Sequence, residues 1–202
     1  SKGNEKPGDN KKSFATATLI DVAGARQLIA PAAEATIAYA PHIGEELWRV
    51  MLPGGFNVAA RPIYQNGLVY VFTSGLTRHF LAIKPDGRGD VTGSHIAWST
   101  KRGTPAIPSP IVIDEHLFMG TDKGGIARCL NAKTGETLWV FRFDEGKRGN
   151  SAPRQTSGRG LSYWTDGDDE RVFFITPAYF LISLNAKTGR PYPDFGQDGI
   201  VD

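Results

Sequence analysis

The sequence lacks the features that would fix its chemistry or its compartment directly. It has one cysteine, Cys129, which excludes an intrachain disulfide and any CxxC redox or zinc motif. The alternating apolar neighbours of Cys129 predict a buried, inert thiol. No window approaches the roughly 18 apolar residues that cross a bilayer, and no signal peptide is present. The chain opens on Ser1 rather than Met, and we interpret that start as processed, truncated or trimmed.

Strong charge and catalytic signatures are also missing. The net charge of +2, with no run of Lys and Arg longer than two, gives no electrostatic reason to expect nucleic acid. Neither GxSxG, GxxxxGK[ST] nor HExxH occurs. The acidic run from Asp166 to Glu170 lacks EF-hand spacing and predicts a solvated hairpin tip. The four histidines have no metal-binding spacing and are predicted in turns or on the surface: His42, His79, His95 and His116.

Turn residues are abundant in this chain. Of 202 residues, 40% are hydrophobic, so the chain can bury a substantial core, and one domain is expected. The 24 glycines and 13 prolines together make about 18% of the sequence, above the usual share. They are spread at turn-like intervals, which favours many short β-strands.

One corner sequence recurs along the chain. LNAKTGETLW at residues 130–139 returns as LNAKTGRP at 184–191, and YAPHIGEELW at 39–48 is a looser copy. The copies at 39–48 and 130–139 share the spacing Gly-x-x-x-Trp. Asn131 can bond its own backbone in a turn, and the glycine can adopt positive φ. The tryptophan that follows has the area to cover a neighbouring repeat and an indole N–H that needs a partner. The structural residues predicted on this basis are Gly44, Trp48, Trp98, Gly135, Trp139 and Gly189.

The apolar segments divide into four similar units of about four strands each. Residues 1–12 are predicted to be a flexible arm, and the units to occupy 13–52, 56–100, 107–144 and 157–202. Their third strands are spaced by 44, 47 and 54 residues, which is typical of β-propeller blades. We therefore predict an all-β chain of four-stranded antiparallel blades, about half of an eight-bladed ring. Pro193 stands where a tryptophan is expected, so the last strand should be interrupted or incomplete. A β-sandwich is the alternative fold, but it would not explain the recurring corner.

The corners, together with SPIVIDEHLFMGTDKGG at 109–125, resemble the repeats of quinoprotein-alcohol-dehydrogenase-like propellers. Residues 14 to about 130 are similar to non-enzymatic members such as the propeller lipoprotein of outer-membrane barrel assembly. Residues 131–202, with SGRGLSYWTDGDDERVFF, are similar to early blades of dehydrogenases that use pyrroloquinoline quinone (PQQ).

The resemblance implies one cofactor residue. Arg159, in RGLSYW, occupies the place of the family arginine that pairs with a carboxylate of PQQ. The structural alternative is that Arg159 caps a strand or pairs with Asp166 or Asp168. The vicinal cysteine pair of the alcohol-oxidising members would fall at about Pro153 and Arg154 and is absent. The family's calcium ligands and catalytic aspartate belong to later blades, so we expect no catalytic or metal-binding residue here.

Two functions remain open at this stage. The first is a scaffold or binding surface of a secreted or periplasmic protein, the location that the family implies. The second is the N-terminal portion of a PQQ-dependent alcohol or sugar dehydrogenase, with PQQ and calcium as cofactors. An incomplete ring leaves blade faces bare, so the expected partners are the missing blades or a second copy of the chain. A natural four-bladed propeller is the third option.

Overall fold

A computed structural model describes residues 12–55, 58–73, 78–105, 107–122, 124–153 and 159–202. It divides into two compact units, residues 1–106 and 107–202. The predicted arm at 1–12 lies outside the described residues except for its last residue. Three sheets have four antiparallel strands, and the fourth sheet has four antiparallel strands with one short parallel strand added, which confirms the predicted fold class of partial β-propeller blades.

The first unit contains two blades. The first blade is formed by β1 (Thr18–Val22), β2 (Ala25–Pro31), β3 (Ala35–Tyr39) and β4 (Glu46–Met51). The second is formed by β5 (Ile63–Gln65), β6 (Leu68–Thr73), β7 (His79–Ile83) and β9 (Ile96–Thr100). The strands are joined as antiparallel neighbours in chain order. Asn66 and Gly67 have φ of 54° and 74°, the conformation that a two-residue hairpin loop requires.

The corner of the second blade departs from the sequence prediction. Its long loop contributes β8 (Gly89–Asp90), which pairs in parallel with β4 and makes the first sheet five-stranded. Gly89 and Asp90 therefore form a strand contact between the first two blades. The first strand of this blade starts well after residue 56, where the predicted unit begins. The strand begins at Ile63 because Pro62 has no N–H to donate to a neighbouring strand.

The second unit contains the other two blades. The third is formed by β10 (Ile111–Ile113), β11 (His116–Gly120), β12 (Ile126–Asn131) and β13 (Thr137–Arg142). A short helix that the sequence does not predict, α1 (Gly146–Asn150), follows it. The fourth blade is formed by β14 (Leu161–Thr165), β15 (Glu170–Ile175), β16 (Leu181–Asn185) and β17 (Ile200–Val201). The outermost strand is only two residues long, as the proline-rich sequence before it indicates.

Each unit has its core between its two blades. In the first unit Ile29, Trp48 and Val50 pack with Val69, Leu81 and Ile83 of the next blade. In the second unit the facing residues are Phe118, Cys129 and Trp139 of the third blade and Val172, Phe174 and Ile182 of the fourth. The apolar area removed from water at such a seam stabilises it by roughly 25 cal/mol per Å². Among the described residues, no helix is long and apolar enough to cross a membrane.

Candidate functional site

The recurring corners have the same backbone geometry. Asn131 Oδ1 accepts hydrogen bonds from the N–H of Lys133 and Thr134, and the Gly135 N–H donates to the Asn131 carbonyl at 2.8 Å. In the fourth blade the Gly189 N–H donates to the Asn185 carbonyl, also at 2.8 Å, and in the first the Gly44 N–H donates to Ala40 at 2.9 Å. All three glycines have φ near 70°. The corners are therefore one structural unit used three times.

Trp139 joins the third blade to the corner of the fourth. Its side chain is 9% exposed, and its indole N–H donates to the Ala186 carbonyl at 2.9 Å. A Cβ built on Gly189 would lie 2.6 Å from two carbon atoms of the indole ring, so the ring packs directly on the glycine. This is the contact that the Gly-x-x-x-Trp pattern led us to expect.

Trp48 makes the corresponding contact through an intermediate side chain. Its indole N–H donates to Gln27 Oε1 at 2.8 Å, and Gln27 Nε2 donates to the Pro85 carbonyl at 2.9 Å. The β-strand registers place Pro85 where Ala186 stands in the fourth blade. Gln27 is 4% exposed. Its side-chain amide therefore connects the Trp48 indole to the corner carbonyl of Pro85 inside the protein. The sequence analysis did not identify Gln27.

Trp98 and the other candidates have local partners. The Trp98 ring lies 5.3 Å from Phe80 and 6.1 Å from Tyr70, both in its own sheet. Cys129 is fully buried, which confirms the predicted burial, and burial raises the pKa of its thiol to about 12. Asp166 Oδ1 accepts from the N–H of Asp168 and Asp169, which closes the predicted hairpin tip. In the described part of the chain, no cluster of His, Cys, Asp or Glu could hold a metal ion.

Arg159 lies just before β14, at the start of the fourth blade. Its side chain is exposed, and its guanidinium carbon sits 5.1 Å from the centre of the Tyr179 ring. Arg159 does not pair with Asp166 or Asp168. The five residues of β14, about 16 Å of strand, separate Arg159 from the hairpin tip that carries these aspartates. Of the predicted cysteine-equivalent positions, Pro153 is an exposed turn residue and Arg154 lies outside the described residues.

Tyr179 belongs to the loop between β15 and β16, and the sequence analysis missed it. It is 51% exposed and has φ of 70°, which is rare for an aromatic residue. Its N–H donates to the Thr176 carbonyl at 2.9 Å, and the Ala178 N–H donates to Glu145 Oε1 at 2.7 Å. The available sequence signal was a tight turn, TPAY, with no glycine to supply positive φ.

A cavity of about 310 Å³ lies beside α1 and reaches Pro177 of this loop. It is lined by Phe143, Asp144, Glu145, Gly149, Asn150 and Pro177, among others. The two carboxylates give the cavity negative charge, whereas Arg159 presents positive charge beside the Tyr179 ring.

The model for the glucose/ethanol/alcohol dehydrogenase β-propeller domain, designated PQQ, matches residues 90–202. The chain belongs to this PQQ propeller family. The match begins within the second-blade corner, well before residue 131, and includes the whole third and fourth blades. A comparison with curated proteins found no match.

Solved structures show the PQQ propeller fold at low sequence identity. A quinohemoprotein alcohol dehydrogenase of Pseudomonas putida HK5 aligns with 89% of this chain and 33% of its own, with TM-score 0.57 and 17% identity. The enzyme of the same name from Comamonas testosteroni aligns with 89% and 34%, with TM-score 0.58 and 13% identity. BamB from Moraxella catarrhalis aligns with 87% of this chain and 62% of its own, at 13% identity and with a lower TM-score of 0.45. The chain thus spans about a third of the length of the two dehydrogenases.

Proposed function

We propose that this chain forms blades of a quinoprotein oxidoreductase and contributes Arg159 to the binding of a PQQ carboxylate. The observation that carries the proposal is the exposed Arg159 guanidinium, held over the Tyr179 ring at the start of a blade. The family match and the likeness to two quinohemoprotein alcohol dehydrogenases support it. The planar fork of arginine suits a carboxylate because it can donate two parallel hydrogen bonds.

The residues present fit one part of this cofactor. Arg159 offers a carboxylate contact, but no described cluster offers the oxygen ligands that calcium prefers. We therefore expect the metal ligands and the catalytic base to come from outside residues 1–202, and we expect no turnover by these blades alone. When bound, the quinone supplies the oxidising chemistry, and the protein supplies orientation and charge.

A scaffold or binding surface is the second candidate function. The observation that bears on it is the exposed surface of Arg159 and Tyr179, which could contact a protein partner as readily as a cofactor. In that case Arg159 and Tyr179 would be an ordinary surface pair. A periplasmic or secreted location, under either function, stays a prediction from the family resemblance.

Calorimetric titration of PQQ, with calcium present, separates the two functions. We expect saturable binding that Arg159→Gln weakens about tenfold, because a hydrogen bond to a charged group contributes about 1.5–3 kcal/mol before solvent screening. Arg190→Gln is the matched control, since Arg190 is exposed in the same blade but follows the far end of β16. Equal loss in both variants, or no binding by the wild type, would favour the scaffold.

The face of the fourth blade that points away from the third blade is only partly covered within its unit, where Phe195 packs on Phe173 and Tyr192 on Arg171. Its β-strand registers make Phe173 and Leu181 equivalent to Phe118 and Ala127, which are buried where the third blade receives the fourth. On this partly covered face Trp164 is 45% exposed and Ile175 is 37% exposed. We propose that this face receives a further blade of the same repeat, because it carries the equivalents of a face that already does so.

Light scattering over a concentration series tests this partner. When the further blade is missing, we expect this face to associate reversibly with other copies of the chain, so that the average mass exceeds 21.9 kDa as concentration rises. Ile175→Glu, which places a charge on this face, should weaken the association. A defined dimer would mean that a second copy supplies the blade. A strict monomer whose solubility is unchanged by Ile175→Glu would contradict the proposal.

A further inference from the structure

The loop from Thr176 to Phe180 is held at both ends. The Thr176 N–H donates to the Phe180 carbonyl, and Thr176 Oγ1 accepts from the Phe180 N–H at 3.2 Å. Thr176 is only 1% exposed, so this end of the loop is fixed in the protein interior. The Arg148 guanidinium of α1 covers the Phe180 ring at 4.6 Å, and Glu145 accepts from Ala178. The backbone of Tyr179 is therefore fixed although its ring is half exposed.

The conformation of Tyr179 is costly for an aromatic residue. Its φ of 70° is the left-handed region, where glycine or asparagine would be accommodated with less strain. The ring, at 51% exposure, buries little area in return. Residues kept in strained conformations concentrate at ligand sites, where the surrounding structure fixes them. Packing therefore does not account for an aromatic ring at this position, and a contact with a neighbouring functional group would.

The ring of Tyr179 contacts the guanidinium of Arg159. The two groups lie 5.1 Å apart, within the range of a cation–π contact. An arginine side chain has several rotatable bonds, and ordering it when a ligand binds costs affinity. A ring already beneath the guanidinium restricts its rotamers and leaves the donor edge open to a carboxylate.

We propose that Tyr179 is a positioning residue that pre-orders Arg159 for a carboxylate ligand. This inference depends on the proposed function for the identity of the ligand, PQQ. The role belongs to the aromatic ring and not to the phenol, because the contact runs through the ring face. Phenylalanine should therefore replace tyrosine, and asparagine, which tolerates the backbone conformation, should not.

Three proteins test the inference: the wild type, Tyr179→Phe and Tyr179→Asn. We expect Tyr179→Phe to bind PQQ like the wild type and Tyr179→Asn to bind several-fold more weakly. The thermal midpoint of Tyr179→Asn should equal or exceed that of the wild type, because strain is relieved. Weaker binding in a more stable protein is not expected from a purely structural residue.

A second measurement needs no cofactor. The Arg159 Nε–Hε resonance in the NMR spectrum of the free protein should carry a ring-current shift that persists in Tyr179→Phe and disappears in Tyr179→Asn. An unchanged resonance in Tyr179→Asn, or unchanged PQQ affinity in that variant, would overturn the inference. A wild type that keeps the shift yet binds no PQQ would overturn the proposed function alone.

Discussion

Replacing Gly189 by alanine tests the seam between the third and fourth blades. The added Cβ would lie 2.6 Å from the Trp139 ring, closer than packed carbon atoms approach, so the ring or the corner must move. Overpacking of this kind costs about 1–3 kcal/mol. The left-handed conformation, φ of 69°, costs an alanine about 1–2 kcal/mol more. We expect Gly189→Ala to lower the free energy of unfolding by roughly 2–5 kcal/mol, the sum of the two costs.

Gly146→Ala separates the steric cost from the backbone cost. Gly146 lies in the same unit with φ of 56°, and a Cβ there would meet nothing within 4 Å. It should lose only the backbone contribution, about 1–2 kcal/mol. Both variants are compared by urea unfolding monitored by hydrogen exchange within the second unit, since the two units need not unfold together.

A double variant completes this test. Removing the ring by Trp139→Ala should make the added Cβ of Gly189→Ala harmless apart from backbone strain, so the two costs should not add. The expected coupling energy is about 1–3 kcal/mol. Equal effects of Gly189→Ala and Gly146→Ala, or strictly additive effects in the double variant, would refute the inferred contact between ring and corner.

Other expectations concern buried polar groups. In Gln27→Glu the new carboxyl must keep a proton to donate to the Pro85 carbonyl, so its folded-state pKa should be raised. The stability of this variant should approach that of the wild type below about pH 4 and fall as pH rises. A loss of urea midpoint that does not depend on pH would contradict the relay. Cys129 should resist alkylation by iodoacetamide at pH 8 in the folded chain and react in urea, and labelling of the folded chain would contradict its burial. Burial raises the pKa of Cys129 from 9.0 and of Tyr70 from 10.0, both to about 12. The free energy of unfolding should therefore fall as pH rises from 9 toward 12, by up to about 1.4 kcal/mol per pH unit for each group. A free energy of unfolding that stays constant over this range would contradict both shifts.

The blades could be predicted from the sequence because local patterns determine them. Short apolar runs between glycine-rich turns specify strands, and the recurring corner specifies their order. The four strands of the third blade, from Ile111 to Arg142, all lie within the predicted unit 107–144. The strand β8 was missed because its only partner, β4, is about 40 residues away and no local signal marks it. The helix α1 was missed because GKRGN has two glycines and no apolar periodicity.

The candidate site was less predictable than the fold. Arg159 came from a family motif, so its position along the chain was known but its neighbours were not. Tyr179 lies 20 residues further along the chain, and only the hairpin of β14 and β15 with β16 brings the two together. The Gln27 relay was hidden for the same reason, since Pro85 is 58 residues away. Contacts between blades depend on tertiary packing, which periodicity does not encode.

The most direct test of the account is the response of Arg159 itself to the quinone. In the full chain with isotope-labelled arginine, addition of PQQ should shift the Arg159 Nε–Hε resonance in a saturable manner. The exposed Arg190 should respond little, because it follows the opposite end of β16. A saturable shift confined to Arg159 is the result that the account predicts. An Arg159 resonance that stays unmoved at saturating PQQ would contradict the claim that this arginine receives the cofactor.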